Sequence, residues 1–68
     1  MLTIKAIYAP QREEIFEAKR VRTVPVDNSP HVNVIFEPSD AGGEMGICSQ
    51  DCLVFVMNEK GHTISSYG

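Results

Sequence analysis

Tryptophan is absent from this chain, cysteine occurs only twice, and no apolar run approaches the length of a membrane span. Each shortage excludes something. Two cysteines in 68 residues rule out the disulfide-dense framework of small secreted domains. The opening Met1-Leu2-Thr3-Ile4-Lys5 lacks the basic start and long apolar stretch of a signal peptide, which predicts a cytoplasmic protein with free thiols and no membrane association. Basic residues are scarce as well: six Lys and Arg stand against nine Asp and Glu, for a net charge of −3. Binding to nucleic acid draws on a surplus of Lys and Arg that displaces counterions from phosphates, so nucleic acid is not the expected partner. Residues 1–34 carry five basic and four acidic side chains and residues 35–68 carry one and five, which places the acidity in the second half.

Length limits what the chain does alone. A domain of 68 residues buries only about 60% of the surface its unfolded form exposes. A core of that size contributes ~3–5 kcal/mol at most. With so few cysteines, self-association is the simplest reinforcement, and a homo-oligomer is predicted. Hydrophobic content of 43% with 22% charged residues is that of an ordered globular chain, here one small β domain spanning 1–68.

Period-two patterning dominates. Leu2, Ile4, Ala6 and Tyr8 alternate with Thr3, Lys5 and Ile7 up to Pro10, and Pro10-Gln11-Arg12-Glu13 reads as a turn. The composition of Glu14–Val24 suits a helix, but Ile15, Phe16, Ala18, Val21 and Val24 make no helical stripe and no N-cap residue precedes them. A strand is the better reading. In it Phe16 and Ala18 share a face, and Val21 rejoins them if a β-bulge near Lys19-Arg20 inserts one residue. Asp27-Asn28-Ser29-Pro30 forms a turn. His31–Glu37 then alternates with Val32, Val34 and Phe36 inward, and Pro38–Gly46 reads as a loop. Cys52–Met57 and His62–Tyr67 flank Asn58-Glu59-Lys60-Gly61, a four-residue hairpin loop in which Gly61 takes a positive φ. The fold class is all-β: a small antiparallel meander of five or six strands, half-curled or barrel-like. Tyr8, Phe16, Phe36, Phe55 and Tyr67 are its candidate core aromatics, with the tyrosines the better surface candidates.

Chemistry-bearing residues are sparse. Cys48 and Cys52 on one strand would stand about 13 Å apart, beyond the ~7 Å limit for a disulfide, whereas a turn at Ser49-Gln50-Asp51 brings them together. A Cys₂His₂ set with His31 and His62 can be written down, but the histidines lie far apart on either side of the cysteines, unlike zinc modules. No metal and no cofactor is predicted, and Cys52 reads as a small apolar residue opening a strand. Neither cysteine has an adjacent histidine or helix N-terminus to activate it, so no catalytic residue is assigned. The glycines of Ala41–Gly46 are flanked by Asp40 and Glu44, which repel phosphate. Lys19, Arg20 and Arg22 form the only basic run; it either shields a sheet edge or, with Arg20 and Arg22 on one face, holds an anion.

The segments Val54–Gly68 (VFVMNEKGHTISSYG) and Leu2–Pro10 (LTIKAIYAP) resemble parts of small β-rich proteins encoded by bacteria and their phages. The resemblance implies a phage-encoded inhibitor that occludes a host protein; it carries no catalytic residue. From the residues themselves, the expected function is a non-enzymatic protein-binding module whose acidic side chains Asp40, Glu44, Asp51 and Glu59 meet a basic partner. The alternative is an oligomer that sequesters a small anion such as a nucleotide through Lys19, Arg20 and Arg22.

Overall fold

A computed structural model describes residues 1–68. It contains six strands and no helix: β1 Leu2–Tyr8, β2 Arg12–Pro25, β3 Val32–Pro38, β4 Met45–Cys48, β5 Leu53–Met57 and β6 Thr63–Tyr67. No helix long and apolar enough to cross a membrane is therefore present. All pairs are antiparallel and form one sheet in the order β4-β3-β2-β1-β5-β6, curled but not closed into a barrel.

Strand β2 sets the curl. Its first half pairs with β1, Leu2 opposite Ala18 and Tyr8 opposite Arg12, and its second half pairs with β3, Arg20 opposite Glu37 and Pro25 opposite Val32. The register shifts between Ala18 and Arg20, where the bulge was expected. One extra residue there bends the strand and turns Val21 to the same side as Ala18, so one long strand serves two pairings at an angle. Residues 14–24 are thus strand throughout, against their helical composition.

The core lies inside the bend. Ile4 and Ala6 of β1, Val54 and Val56 of β5, Val34 and Phe36 of β3, Ile47 of β4, Ala18 and Cys52 are buried together. Phe16 and Phe36 meet with ring centroids 5.3 Å apart, a tilted aromatic pair across the β2–β3 angle. Tyr8 and Tyr67 are half-buried against this cluster. Phe55 departs from expectation: Val54 and Val56 point inward, so period two sends Phe55 to the opposite face.

The turns follow their residues. Asn28 adopts φ 58°, a left-handed conformation that asparagine tolerates, between β2 and β3. Gly61 adopts φ 82° in the β5–β6 hairpin, whose Asn58 side chain accepts hydrogen bonds from the N–H groups of Lys60 and His62.

Two features depart from simple succession. Met45 and Gly46, expected in a loop, belong to the short strand β4 opposite Phe36 and Ile35. The chain then crosses in the turn Ser49–Cys52 from the β4 edge to the far side of β1, where Leu53 faces Ile7. Ser49 secures the crossing. Its N–H donates to the Val32 carbonyl at 2.9 Å, and its hydroxyl accepts the Val32 N–H at 3.0 Å.

Candidate interaction surface

Strand β5, Leu53-Val54-Phe55-Val56-Met57, is apolar at every position. Val54 and Val56 supply the core, which leaves Leu53, Phe55 and Met57 on the outer face. Pairing aligns them with β1 and β2. Phe55 lies beside Lys5 and then Ile15, Leu53 beside Ile7 and then Glu13, and Met57 beside Thr3 and then Glu17. The result is an apolar cluster of Leu53, Phe55 and Met57 with Ile7 of β1, and Lys5 stands between Phe55 and Ile15 of β2; Leu53 is 48% and Ile15 61% exposed, and Ile7, Phe55 and Met57 are half-buried. Its rim is acidic. Glu13 and Glu17 line the β2 side, and Lys5 Nζ lies 3.6 Å from Glu13 Oε1.

This patch was missed in the sequence, although a signal was there. An antiparallel sheet with one wet face alternates apolar and polar residues. Five apolar residues in succession do not, and they mark a strand that is greasy on both sides.

The four carboxylates expected to form a binding surface are spread over three loops. Asp40 and Glu44 lie between β3 and β4, Asp51 in the β4–β5 turn and Glu59 in the β5–β6 hairpin. Two already have partners. Glu44 accepts from Arg22 Nη2 at 3.1 Å and Nε at 3.4 Å, and Glu59 pairs with the Met1 amino group. These contacts raise the Arg22 pKa and lower that of Glu59 through hydrogen bonding and charge.

Arg20 and Arg22 do share a face, as the strand reading requires, and with Val21, Ile35, Glu37 and Glu44 they line a cleft of about 340 Å³. Arg20 Nε lies 3.7 Å from Glu37 Oε2, so each guanidinium faces a carboxylate of the same chain. A phosphate entering here would meet both carboxylates and compete with Glu44 for Arg22. Lys19 sits exposed in the bulge.

Both cysteines are free thiols at the ends of one turn. Cys52 is buried, with Sγ 3.7 Å from the Cys48 carbonyl oxygen, and burial pushes its pKa up, which suppresses the thiolate a nucleophile needs. His31 Nδ1 lies 3.3 Å from the Ser49 hydroxyl, whereas His62 is in the distant hairpin. No group of three or more His, Cys, Asp or Glu side chains is gathered to hold a metal ion. A cleft of about 430 Å³ opens at this end beside Tyr8, Pro10, His31, Asp51 and Cys52. Its buried hydroxyl, that of Ser49, is committed to Val32 and His31. No family model matches the chain, and no curated protein or solved structure matches it either.

Proposed function

We propose that the protein is a non-enzymatic binding module that engages another protein through the outer face of β2, β1 and β5. The observation that supports this reading is the two-sided apolar character of β5: the chain covers Val54 and Val56 and leaves Leu53 and Phe55 to be covered by something else. Contiguous apolar surface with a polar rim is the anatomy of a protein-binding patch, and Phe55 and Met57 are of the residue types enriched in one. The carboxylates of Glu13 and Glu17 along its edge favour a partner that is basic around an apolar centre. A module without catalytic groups acts by occupancy, and a host factor masked by this face is the concrete form of inhibition. The anion-sequestering alternative is weakened by Glu37 and Glu44, which already neutralise Arg20 and Arg22.

The test is a comparison of two variants immobilised against extract of the native cell. Leu53→Asp should abolish retention of the partner, and the double reversal Asp40→Lys/Asp51→Lys should leave it intact. If Leu53→Asp retained the partner and the reversal lost it, the outer face would be the wrong surface and the acidic loops the right one.

A further inference from the structure

The apolar strip on β5 has two margins, and they differ. On one side β6 sets Ser66 beside Phe55 and Thr63 beside Met57, both small, polar and exposed, and Gly68 lies against Leu53. On the other side, beyond β1, stand Glu13 and Glu17 of β2. Glu13 is shared with Lys5, whereas Glu17 is exposed and forms no ion pair. Strands β6 and β2 are three strand spacings apart, so about 14 Å separates the polar margins. Along β5, Leu53 to Met57 spans about 13 Å.

We infer that this strip receives an amphipathic α-helix of the partner, lying along β5 and basic on the flank that faces β2. The inference rests on the proposed binding face and names what covers it. Backbone pairing narrows the occupant. A segment laid on this face finds no free N–H or C=O beneath it, because β5 is paired with β1 on one side and with β6 on the other. An extended segment would bury its own backbone groups without partners, and a helix satisfies them internally. The width agrees. A helix with its side chains is about 10–12 Å across and fits between the margins. A second sheet brings several strands and would press them onto Lys5, Glu13 and Glu17.

Spacing sets the pattern on that helix. Leu53, Phe55 and Met57 recur every ~6.6 Å along β5, and apolar residues four apart on a helix recur every ~6 Å. A stripe about two and a half turns long therefore meets all three. The low margin at Ser66 and Thr63 leaves room for one shoulder of the helix. From the other shoulder Lys or Arg reaches over β1 to Glu17, the margin carboxylate that has no cation of its own.

Titration of the full chain with synthetic peptides of about 18 residues, long enough to form a helix, tests this. One peptide carries leucine at helical spacing with lysine on one flank, a second has glutamate in place of the lysine, and a third alternates leucine with lysine as a strand does. The lysine-flanked helix should shift the amide resonances of Leu53, Phe55 and Met57 and gain helical circular dichroism on binding. It should also bind about tenfold more tightly than the glutamate-flanked helix. Glu17→Lys, a change at an exposed position outside the strip, should remove most of that preference. A strand peptide that binds as well as the helix, a preference unchanged by Glu17→Lys, or no shift at the three residues with any peptide overturns the inference. Concentration-dependent shifts at the same residues without peptide would put a second copy on the strip and overturn it as well. Each of these outcomes is compatible with loss of the partner by Leu53→Asp in extract, so the helix fails separately from the binding face.

Discussion

Ser49 is the one polar side chain buried in the molecule, at 4% exposure, and its placement shows how single residues hold this fold. Its hydroxyl accepts from Val32 N–H and lies against His31 Nδ1, so nothing is orphaned by the burial. Cys52, three positions on, is hidden for a different reason: it behaves as a small apolar residue, which its place before Leu53 already suggested. Its thiol is held above 9.0 chiefly by burial, and Tyr8 above 10.0 by burial and then by the Cys52 and Glu14 charges nearby. Both groups keep their protons more tightly folded than unfolded. The stability these two groups contribute is therefore fully present below 9.0 and declines as pH climbs through 9.0 and then 10.0, because the unfolded chain releases protons that the folded chain retains. Urea midpoints measured from neutral to strongly alkaline pH should fall in that window, and Cys52→Ala should remove the earlier part of the fall. Phe55 marks where residue-level reading failed: an aromatic residue in the most apolar strand was assigned to the core, and only its neighbours Val54 and Val56 reveal that the core side was taken.

Among the elements, β2 was the most legible once its face pattern was weighed above its composition. Phe16 and Ala18 fall on one parity and Val21 on the other, and only an inserted residue reconciles them, which is what the shift between Ala18 and Arg20 supplies. Deleting Lys19 should be worse than truncating it, though not by turning the strand over: Val21 then stands two places after Ala18, still opposite Phe36 and on the same side, and what is lost is the bend that lets one strand pair at an angle with β1 and β3. Lys19→Ala keeps the bulge and should stay within about 0.5 kcal/mol of wild type. Dispersion of amide resonances distinguishes the two outcomes. Strand β4 was illegible because nothing local makes it a strand: Met45-Gly46-Ile47-Cys48 is recruited by β3, which it pairs from Cys48 opposite Asn33 to Met45 opposite Phe36.

At the scale of the whole molecule, eleven of 68 residues are buried, a thin core for a sheet of six strands. The all-β class and the curl were readable from alternation, turns and the bulge. The strand order was not, because the pairing of β5 with β1 depends on where the bent sheet delivers the chain and not on any nearby residue. The homo-oligomer expected of so short a chain would make the melting temperature depend on concentration. For a dimer each tenfold increase above the dissociation constant should add ~0.7 kcal/mol per chain and raise Tm by about 3–6 °C. Calorimetry over two dilutions measures it, and a Tm that ignores dilution would indicate a self-sufficient monomer.

Strand β1 has β2 on one side and β5 on the other, with Thr3 opposite Met57 at the far end of the chain. During synthesis β1 therefore leaves the ribosome before its second neighbour, which follows only after β2, β3 and β4 have emerged. In the interval Ile4 and Ala6 have no cover from Val54 and Val56, and one whole margin of β1 is open to capture by other nascent chains. Pairings between such remote segments also form slowly, on a scale of about milliseconds to seconds. A stop codon or stalled ribosome just ahead of Leu53 would release an aggregation-prone fragment, because the open margin of β1 is closed only by β5.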